Sequence, residues 1–370
     1  MLPARVCRRS PTSTCRGRAS RGSWREVRIG LLTGGGDCPG LNAVIRASVR
    51  PGLVGAEHTF AGFRGGWAGA LAGNWMELTL ESTAGLLPRG GTILGTSRTN
   101  PYAHGADGTA AVKAALARAG VDALITIGGE DTLGVALRLH RDGVPIVGVP
   151  KTIDNDLGGT EVTFGFQTAV QIVTDAIDRL HTTAESHDRV IVVEVMGRHA
   201  GWIATHAGMA GGADAILVPE RPFDIEQVVR HLRARHARGR NFSIVVVAEG
   251  ATPLEGTLHV REGAASDAFG HARLGGIGMV LEEEIERRSG YETRVTILGH
   301  VQRGGTPVAY DRVLATRFGV AACEAALSGR FGTMVALAAA QIVEVPLEDA
   351  LREPKLLDPR LYETAQLFFG

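Results

Sequence analysis

Ala123-Leu124-Ile125-Thr126-Ile127-Gly128-Gly129-Glu130-Asp131-Thr132 and Pro145-Ile146-Val147-Gly148-Val149-Pro150-Lys151-Thr152-Ile153-Asp154-Asn155-Asp156 are the two stretches that decide the fold of this chain. Each is a short apolar run that breaks into an acidic turn. Between them Leu133-Gly134-Val135-Ala136-Leu137-Arg138-Leu139 has a helical pattern, so the order is strand, helix, strand, which puts both turns at one edge of a parallel sheet. In open parallel sheets ligands bind beyond the carboxyl ends of the strands. Carboxylates, a lysine and flexible glycines gathered there imply metal-assisted phosphate chemistry. Taken alone, Asp154 and Asp156 could equally cap a helix or close Asx-turns.

Working outward, Val27–Leu32 leads into Thr33-Gly34-Gly35-Gly36-Asp37-Cys38-Pro39-Gly40 and then a helix from Leu41. Such a turn lets the backbone approach a phosphate, and the helix behind it offers free N–H groups and a positive dipole end. Pro51-Gly52 is expected to end that helix. Residues 164–184 place Phe166, Val170, Val173, Ile177, Leu180 and Ala184 at helical spacing, a long amphipathic helix expected to bridge two lobes. Further strands are expected at Val190–Val195, Ala215–Val218, Phe242–Ala248 and Thr293–Leu298, with helices at Asp224–Arg238 and Ala272–Arg287. The fold class is α/β: two Rossmann-like, doubly wound lobes with mainly parallel sheets and the active site in the cleft between them.

Composition narrows the function. With 370 residues, 44% hydrophobic and only 5% aromatic, the chain fits an aliphatic α/β protein large enough for two cores. Its 50 glycines cluster at strand ends rather than in repeats. The net charge of zero hides an asymmetry, because residues 1–25 hold seven Arg and no acid, leaving the body at net −7. That sign argues against a nucleic-acid surface, and no apolar run of about 18 residues is present to span a membrane. The four cysteines, Cys7, Cys15, Cys38 and Cys323, have no CxxC spacing, which points to a reducing compartment and a cytoplasmic location. Residues 1–26 read as a disordered Arg-rich extension without a secretory signal.

The chain resembles the phosphofructokinase family over residues 27 to about 330. The motifs that carry the resemblance are Gly34-Gly35-Gly36-Asp37-Cys38-Pro39-Gly40-Leu41-Asn42, Gly90-Gly91-Thr92-Ile93-Leu94-Gly95-Thr96-Ser97-Arg98 and the two acidic turns. Val193-Glu194-Val195-Met196-Gly197-Arg198 and Leu298-Gly299-His300-Val301-Gln302-Arg303-Gly304-Gly305-Thr306-Pro307 complete the set, in order and spacing. The resemblance implies a phosphoryl-donor-binding lobe of residues 27–164 plus 302–350 and a sugar-phosphate-binding lobe of 165–301 plus 351–370. It implies Asp154 as the base for the 1-hydroxyl of fructose 6-phosphate, flanked by Thr152 and Asp156. Met196, Gly197, Arg198 and Glu249 match the sugar contacts. Arg189, Arg294, His300 and Arg303 match the 6-phosphate cradle, with Arg189 and Arg294 supplied by a neighbouring subunit, hence a homodimer or homotetramer with shared active sites. Gly36, Arg98, Asp131, Thr132 and Lys151 match the donor contacts, and Glu130 serves a Mg2+ ion.

The donor follows from two positions. Where ATP-using members have glycine, this chain has Asp131, whose carboxylate would fill the place of a nucleotide's α-phosphate and repel it by ~1 kcal/mol at 4 Å even in water. Lys151 also replaces a small residue, and lysine occurs in this chain only at 113, 151 and 355. Aspartate with lysine is the pyrophosphate signature of the family. Glu130 in place of the commoner aspartate, with Ser97-Arg98-Thr99-Asn100-Pro101, indicates the branch of mixed donor use. The implied reaction is reversible transfer from pyrophosphate to fructose 6-phosphate in glycolysis or gluconeogenesis. An ATP-dependent 6-phosphofructokinase and a catalytically silent regulatory subunit are the alternatives. Arg46, Arg50 and Arg179 match only part of the family's effector site, so strong nucleotide allostery is not expected.

Overall fold

A computed structural model describes residues 26–55, 58–103, 107–258, 269 and 274–369. The Arg-rich extension, apart from Glu26, and with it Cys7 and Cys15, lies outside the described residues. The first half of the chain runs β1 (Arg28–Thr33), α1 (Leu41–Gly55), β2 (Thr59–Phe63), α2 (Trp67–Ala72), β3 (Trp75–Glu77), α3 (Thr109–Arg118), β4 (Ala123–Gly128), α4 (Glu130–Arg141), β5 (Ile146–Pro150) and α5 (Phe166–Ser186). The second runs β6 (Val190–Val195), α6 (Trp202–Ala210), β7 (Ala215–Leu217), α7 (Ile225–Ala237), β8 (Ser243–Ala248), α8 (Ile277–Ser289), β9 (Thr293–Ile297), α9 (Ala309–Leu327), β10 (Thr333–Ala338), β11 (Gln341–Pro346), α10 (Leu347–Ala350) and α11 (Pro359–Gln366).

These strands form two sheets. The larger has the order β11-β10-β5-β4-β1-β2-β3 and is parallel except where its edge strands β3 and β11 pair antiparallel. The smaller, β7-β8-β6-β9, is parallel throughout. Side chains alternate across the larger sheet: Ala123, Ile125 and Ile127 of β4 join the core under α1 and α9, while Leu124 joins the core under α2, α3 and α4. A strand covered on both faces reads as a continuous apolar run, which is why β4 and β5 were legible without alternation. The second sheet is covered in the same way, with Val190 and Val192 facing α7 and α8.

Strand ends position the site. Thr33 lies level with Ile127, and Gly128 with Pro150, so β1, β4 and β5 finish at one height. The chain order reverses between β1 and β4, and a crevice opens at such a switch point. In the smaller sheet the order reverses about β6, and β6, β8 and β9 finish together. Helix α5 packs on α6, α9, β6 and β8, so it joins the two sheets as its amphipathic pattern suggested. Its N terminus has no cap from its own sequence; the fully buried Asp311 of α9 accepts hydrogen bonds from Thr168 N at 2.7 Å and Thr168 Oγ1 at 2.6 Å.

Two boundaries differ from expectation. Helix α1 passes through Pro51 and continues to Gly55. Pro51 lies on the exposed face while Val44, Ala47, Ser48 and Gly52 are buried, so packing against α9 outweighs the one backbone bond the ring removes. Helix α8 begins at Ile277, not Ala272. Gly275 and Gly276 hold φ of 116° and 90°, which breaks the helical path. The carboxylate of Glu194 caps that start, accepting from Gly276 N at 2.9 Å and Gly278 N at 2.7 Å.

The β10–β11 hairpin turns on Ala339 and Ala340 at φ of 46° and 65°. A two-residue turn with both φ values positive is ordinarily built from Asn-Gly, because a Cβ in this region costs roughly 1–2 kcal/mol. The strain is held by neighbours: Ala339 N donates to Glu161 Oε1 at 2.8 Å and Arg317 Nη2 to Ala340 O at 2.7 Å. Replacing the pair, Ala339→Asn with Ala340→Gly, is expected to stabilise the protein by about 1–3 kcal/mol. Thermal unfolding should show a midpoint higher by several degrees.

Candidate active site

The level ends of β1, β4 and β5 build a polar cleft. Gly36 comes from the turn after β1, Glu130, Asp131 and Thr132 from the first turn of α4, and Lys151, Thr152, Asp154 and Asp156 from the loop after β5. Arg98 arrives on the 90–98 segment, which is clamped to the first turn by Gly35 N to Ser97 O at 3.1 Å and Thr96 Oγ1 to Gly35 O at 2.5 Å. Arg198 enters from the loop after β6 and Arg303 from the short 3-10 helix Gly299–Arg303. Residues from both sheets therefore meet in one cleft. Arg303 packs close to Gly36: a Cβ there would sit 2.9 Å from Arg303 Nη1, so a side chain at this position would displace the guanidinium.

Charge dominates this cleft. Asp154 is 3% exposed, and its Oδ2 lies 3.8 Å from Arg303 Nη2. Its Oδ1 is buried with no hydrogen-bond partner, and Arg303 Nε is in the same state. Asp154 is thus neither a helix cap nor an Asx-turn. Buried polar atoms are ordinarily satisfied, so a carboxylate and a guanidinium left open towards a cleft mark a place for a polar ligand. Burial, and then repulsion from Asp154, push Asp156 up to about 6. Lys151 is 4% exposed and donates to Gly36 O at 2.6 Å; burial lowers it to about 8. Asp131 Oδ2 stands 4.0 Å from Arg198 Nη2.

A second pocket of about 340 Å³ opens at the ends of β6, β8 and β9, lined by Met196, Glu249 and His300 with Glu194, Leu274 and Ile297 among others. Gly197, at φ 148°, turns the backbone between Met196 and Arg198. Arg198 N donates to Glu249 Oε1 at 3.2 Å, which joins the two pockets. Burial holds Glu249 above the usual carboxylate range. Arg189 and Arg294 are in neither pocket. They flank Glu292, each at 2.6 Å, beside the edge strand β9. Ile297 and Val301 are exposed nearby, at 46% and 62%.

Among the described residues no group of three or more His, Cys, Asp or Glu side chains could by itself cage a metal. Mg2+ is ordinarily held by one or two carboxylates and completed by substrate phosphates and water. Glu130 beside the unpartnered Asp154 Oδ1 fits that smaller role. The sequence reading missed three contributors. Gln302 is fully buried and accepts from Met196 N at 3.2 Å, positioning the loop after β6. Phe269 forms part of the cleft wall. Lys355 grips the 155–161 loop, and its signal was available, since it is one of the three lysines in the chain.

A family profile described as Phosphofructokinase matches residues 28–326. The chain is 60% identical over 344 residues, 93% of its own length and all of the relative's, to a pyrophosphate–fructose 6-phosphate 1-phosphotransferase from Amycolatopsis methanolica. It is 54% identical over 340 residues, 92% of its length and 99% of the relative's, to an ATP-dependent 6-phosphofructokinase 3 from Streptomyces coelicolor. Among solved structures, phosphofructokinase from Pichia pastoris in the T-state superposes with a TM-score of 0.77 at 32% identity, covering 88% of this chain and 35% of that one.

The burial of Lys151 makes a prediction about stability. Because its folded-state value falls from 10.5 to about 8, holding the charge costs folding free energy at all pH below about 8, and the cost is relieved as pH rises from 8 towards 10.5. Lys151→Met should therefore unfold at a temperature about 2–4 °C higher at pH 7. Its melting temperature should also rise less steeply between pH 8 and 10 than that of the wild type; the remaining slope belongs to Lys355, which burial lowers into the same window.

Proposed function

The chain belongs to the phosphofructokinase family, and on that premise we propose that it transfers a phosphoryl group reversibly from pyrophosphate to the 1-hydroxyl of fructose 6-phosphate, giving fructose 1,6-bisphosphate and phosphate. The observation that carries this reading is the donor end of the cleft, where Asp131 and Arg198 face each other and Lys151 lies buried at the back. Pyrophosphate offers only two phosphoryl groups, so Asp131 has no α-phosphate to displace, and Lys151 supplies a compact charge for the anion. The 60% identity to a relative bearing the pyrophosphate name supports the same donor.

In this reading the 1-hydroxyl of the sugar lies against Asp154. The hydroxyl oxygen forms a bond to the migrating phosphorus, the bond from that phosphorus to the departing phosphate breaks, and Asp154 takes the proton. Arg303 lies 3.8 Å from Asp154 and meets the sugar phosphate, with His300 beside it. Met196, Gly197 and Glu249 receive the sugar, Glu249 accepting from its hydroxyls. Arg98, Arg198, Thr132, Thr152 and the Gly36 backbone gather the donor, while Asp156 borders the transferred group. Glu130 would hold Mg2+, which when bound neutralises charge on the phosphate oxygens. Arg189 and Arg294 would reach the sugar phosphate of a neighbouring copy in a homodimer or homotetramer; their position beside an edge strand with exposed apolar side chains favours this. A cytoplasmic location accords with this metabolism; no helix among the described residues is long and apolar enough to cross a membrane.

ATP is the second reading, and one observation favours it. A further pocket, lined by Asn100, Tyr102, Leu137, Arg138 and Leu351, shares Glu130, Asp131 and Phe269 with the donor cleft, which leaves room for a nucleoside beyond Asp131.

Turnover of the purified protein with each donor at equal Mg2+ is expected to give the higher kcat/KM for pyrophosphate; a preference for ATP would overturn the donor assignment. Asp131→Gly should raise kcat/KM for ATP about tenfold or more, the kinetic equivalent of removing 1–2 kcal/mol of repulsion. Asp154→Asn should lower kcat with pyrophosphate by about 10²–10⁴-fold with little change in KM.

A further inference from the structure

Lys355 lies far from the family motifs, on the segment between α10 and α11, yet its contacts converge on the turn that carries Asp154. The three N–H bonds of its ammonium meet three acceptors: Asn155 Oδ1 at 2.9 Å, Thr160 O at 3.0 Å and Glu161 O at 2.7 Å. Its backbone N donates to Asp156 O at 2.8 Å, and its carbonyl accepts from Trp202 Nε1 at 3.0 Å. The ammonium also stands 5.3 Å from the centre of the Trp202 ring. Two residues on, Leu357 N donates at 2.9 Å to Glu220 Oε1, which also accepts from Gly201 N at 3.0 Å. The segment therefore touches both halves of the site, the turn after β5 and the start of α6 behind the 196–198 loop.

The gripped turn is held in a conformation that needs support. Asn155 sits between the two cleft aspartates at φ 55°, a left-handed setting that asparagine tolerates because its side chain can bond locally. Here Asn155 Oδ1 accepts from Thr163 N at 3.0 Å as well as from Lys355. The left-handed step lets Asp154 and Asp156, on either side of it, both line the cleft. The strap also presses on the loop beyond: a Cβ at Gly158 would lie 2.8 Å from Ala350 O and 2.9 Å from Glu353 O. Three acceptors around one point suit an ammonium, whereas a planar guanidinium presents its donors as a fork. This chain uses lysine at only three positions, and two of them bear on the loop that carries Asp154: Lys151 begins it and ties it to Gly36, and Lys355 holds it from the C-terminal segment.

We propose that Lys355 is a positioning residue, whose ammonium pins the Asn155 turn so that Asp154 and Asp156 stay aimed into the cleft, and whose peptide ties that turn to Trp202 on the sugar side. It rests on the reading of Asp154 as the base, and it adds a coupling between the two half-sites that passes through the C-terminal segment and not through substrate. Because Lys355 does not itself line the cleft, its loss acts on placement. Misplacing a reacting group by about 1 Å can cost of the order of 100-fold in rate.

The test is Lys355→Met, which keeps length and apolar volume while removing all three donors, compared with wild type in the full chain. With fructose 6-phosphate and pyrophosphate, kcat per folded enzyme should fall about 10- to 100-fold while KM for each substrate stays within about threefold. Hydrogen exchange followed by mass spectrometry should show amides in residues 152–163 exchanging about tenfold faster or more, with residues 190–195 of β6 unchanged. A variant with kcat within about twofold of wild type, or with unchanged exchange at 152–163, would overturn the proposal. A wild type inactive with both donors would instead defeat the reading of Asp154, and the exchange measurement would still decide whether Lys355 pins the turn.

Discussion

Four carboxylates, Glu130, Asp131, Asp154 and Asp156, share one cleft because β4 and β5 end at the same height and each strand runs directly into an acidic turn. Like charges this close are costly in a buried place. Cations offset part of that cost: Lys151 from behind, although its own burial works against its charge, Arg303 at 3.8 Å from Asp154 and Arg198 at 4.0 Å from Asp131. Those cations come from the other sheet's loops as well as from this one. The charge balance of the site therefore requires that the two sheets stay docked, which is the task of α5 and of Asp311 at its N terminus.

The balance is incomplete by design of the geometry. Asp156 is pushed towards protonation and Lys151 towards neutrality by the same loss of water. Near neutral pH both groups still carry their charges, and a polyanionic donor would favour the charged Lys151 while a divalent cation would favour the charged Asp156. A site that binds and releases such a donor must stay short of full satisfaction when empty, and the open Asp154 Oδ1 and Arg303 Nε are where that shortfall is visible.

The sequence carried most of this. A parallel strand buried on both faces leaves a plain apolar run, and a glycine-rich or acidic turn after it marks the functional end, so β1, β4, β5, β6 and β8 and the residues after them were legible. Turns whose chemistry runs against rule were not. The β10–β11 hairpin uses Ala339-Ala340 where Asn-Gly is the usual signal, and Pro51 sits inside a helix that packing sustains. Long-range partners were equally silent: nothing local to Lys355, Gln302 or Asp311 announces that each serves a segment more than 100 residues away. Scarcity was the one usable clue, because a chain that writes nearly all its positive charge as arginine has a chemical reason wherever it writes lysine.

Under the proposed function, the pairing of Asp131 with Arg198 would give donor choice a physical form beyond steric exclusion. Asp131 belongs to the donor side, on α4, while Arg198 belongs to the loop after β6, whose backbone N–H is held by Glu249 on the sugar side. An aspartate at this position repels a nucleotide's α-phosphate and at the same time draws the Arg198 guanidinium towards the donor cleft. Glycine would do neither. The same substitution thus removes a repulsion from a longer donor and releases a cation that the shorter donor uses. Arg198 thus meets both pockets, Asp131 through its side chain and Glu249 through its backbone N–H, and under the proposed function donor and acceptor would lie on either side of this one residue.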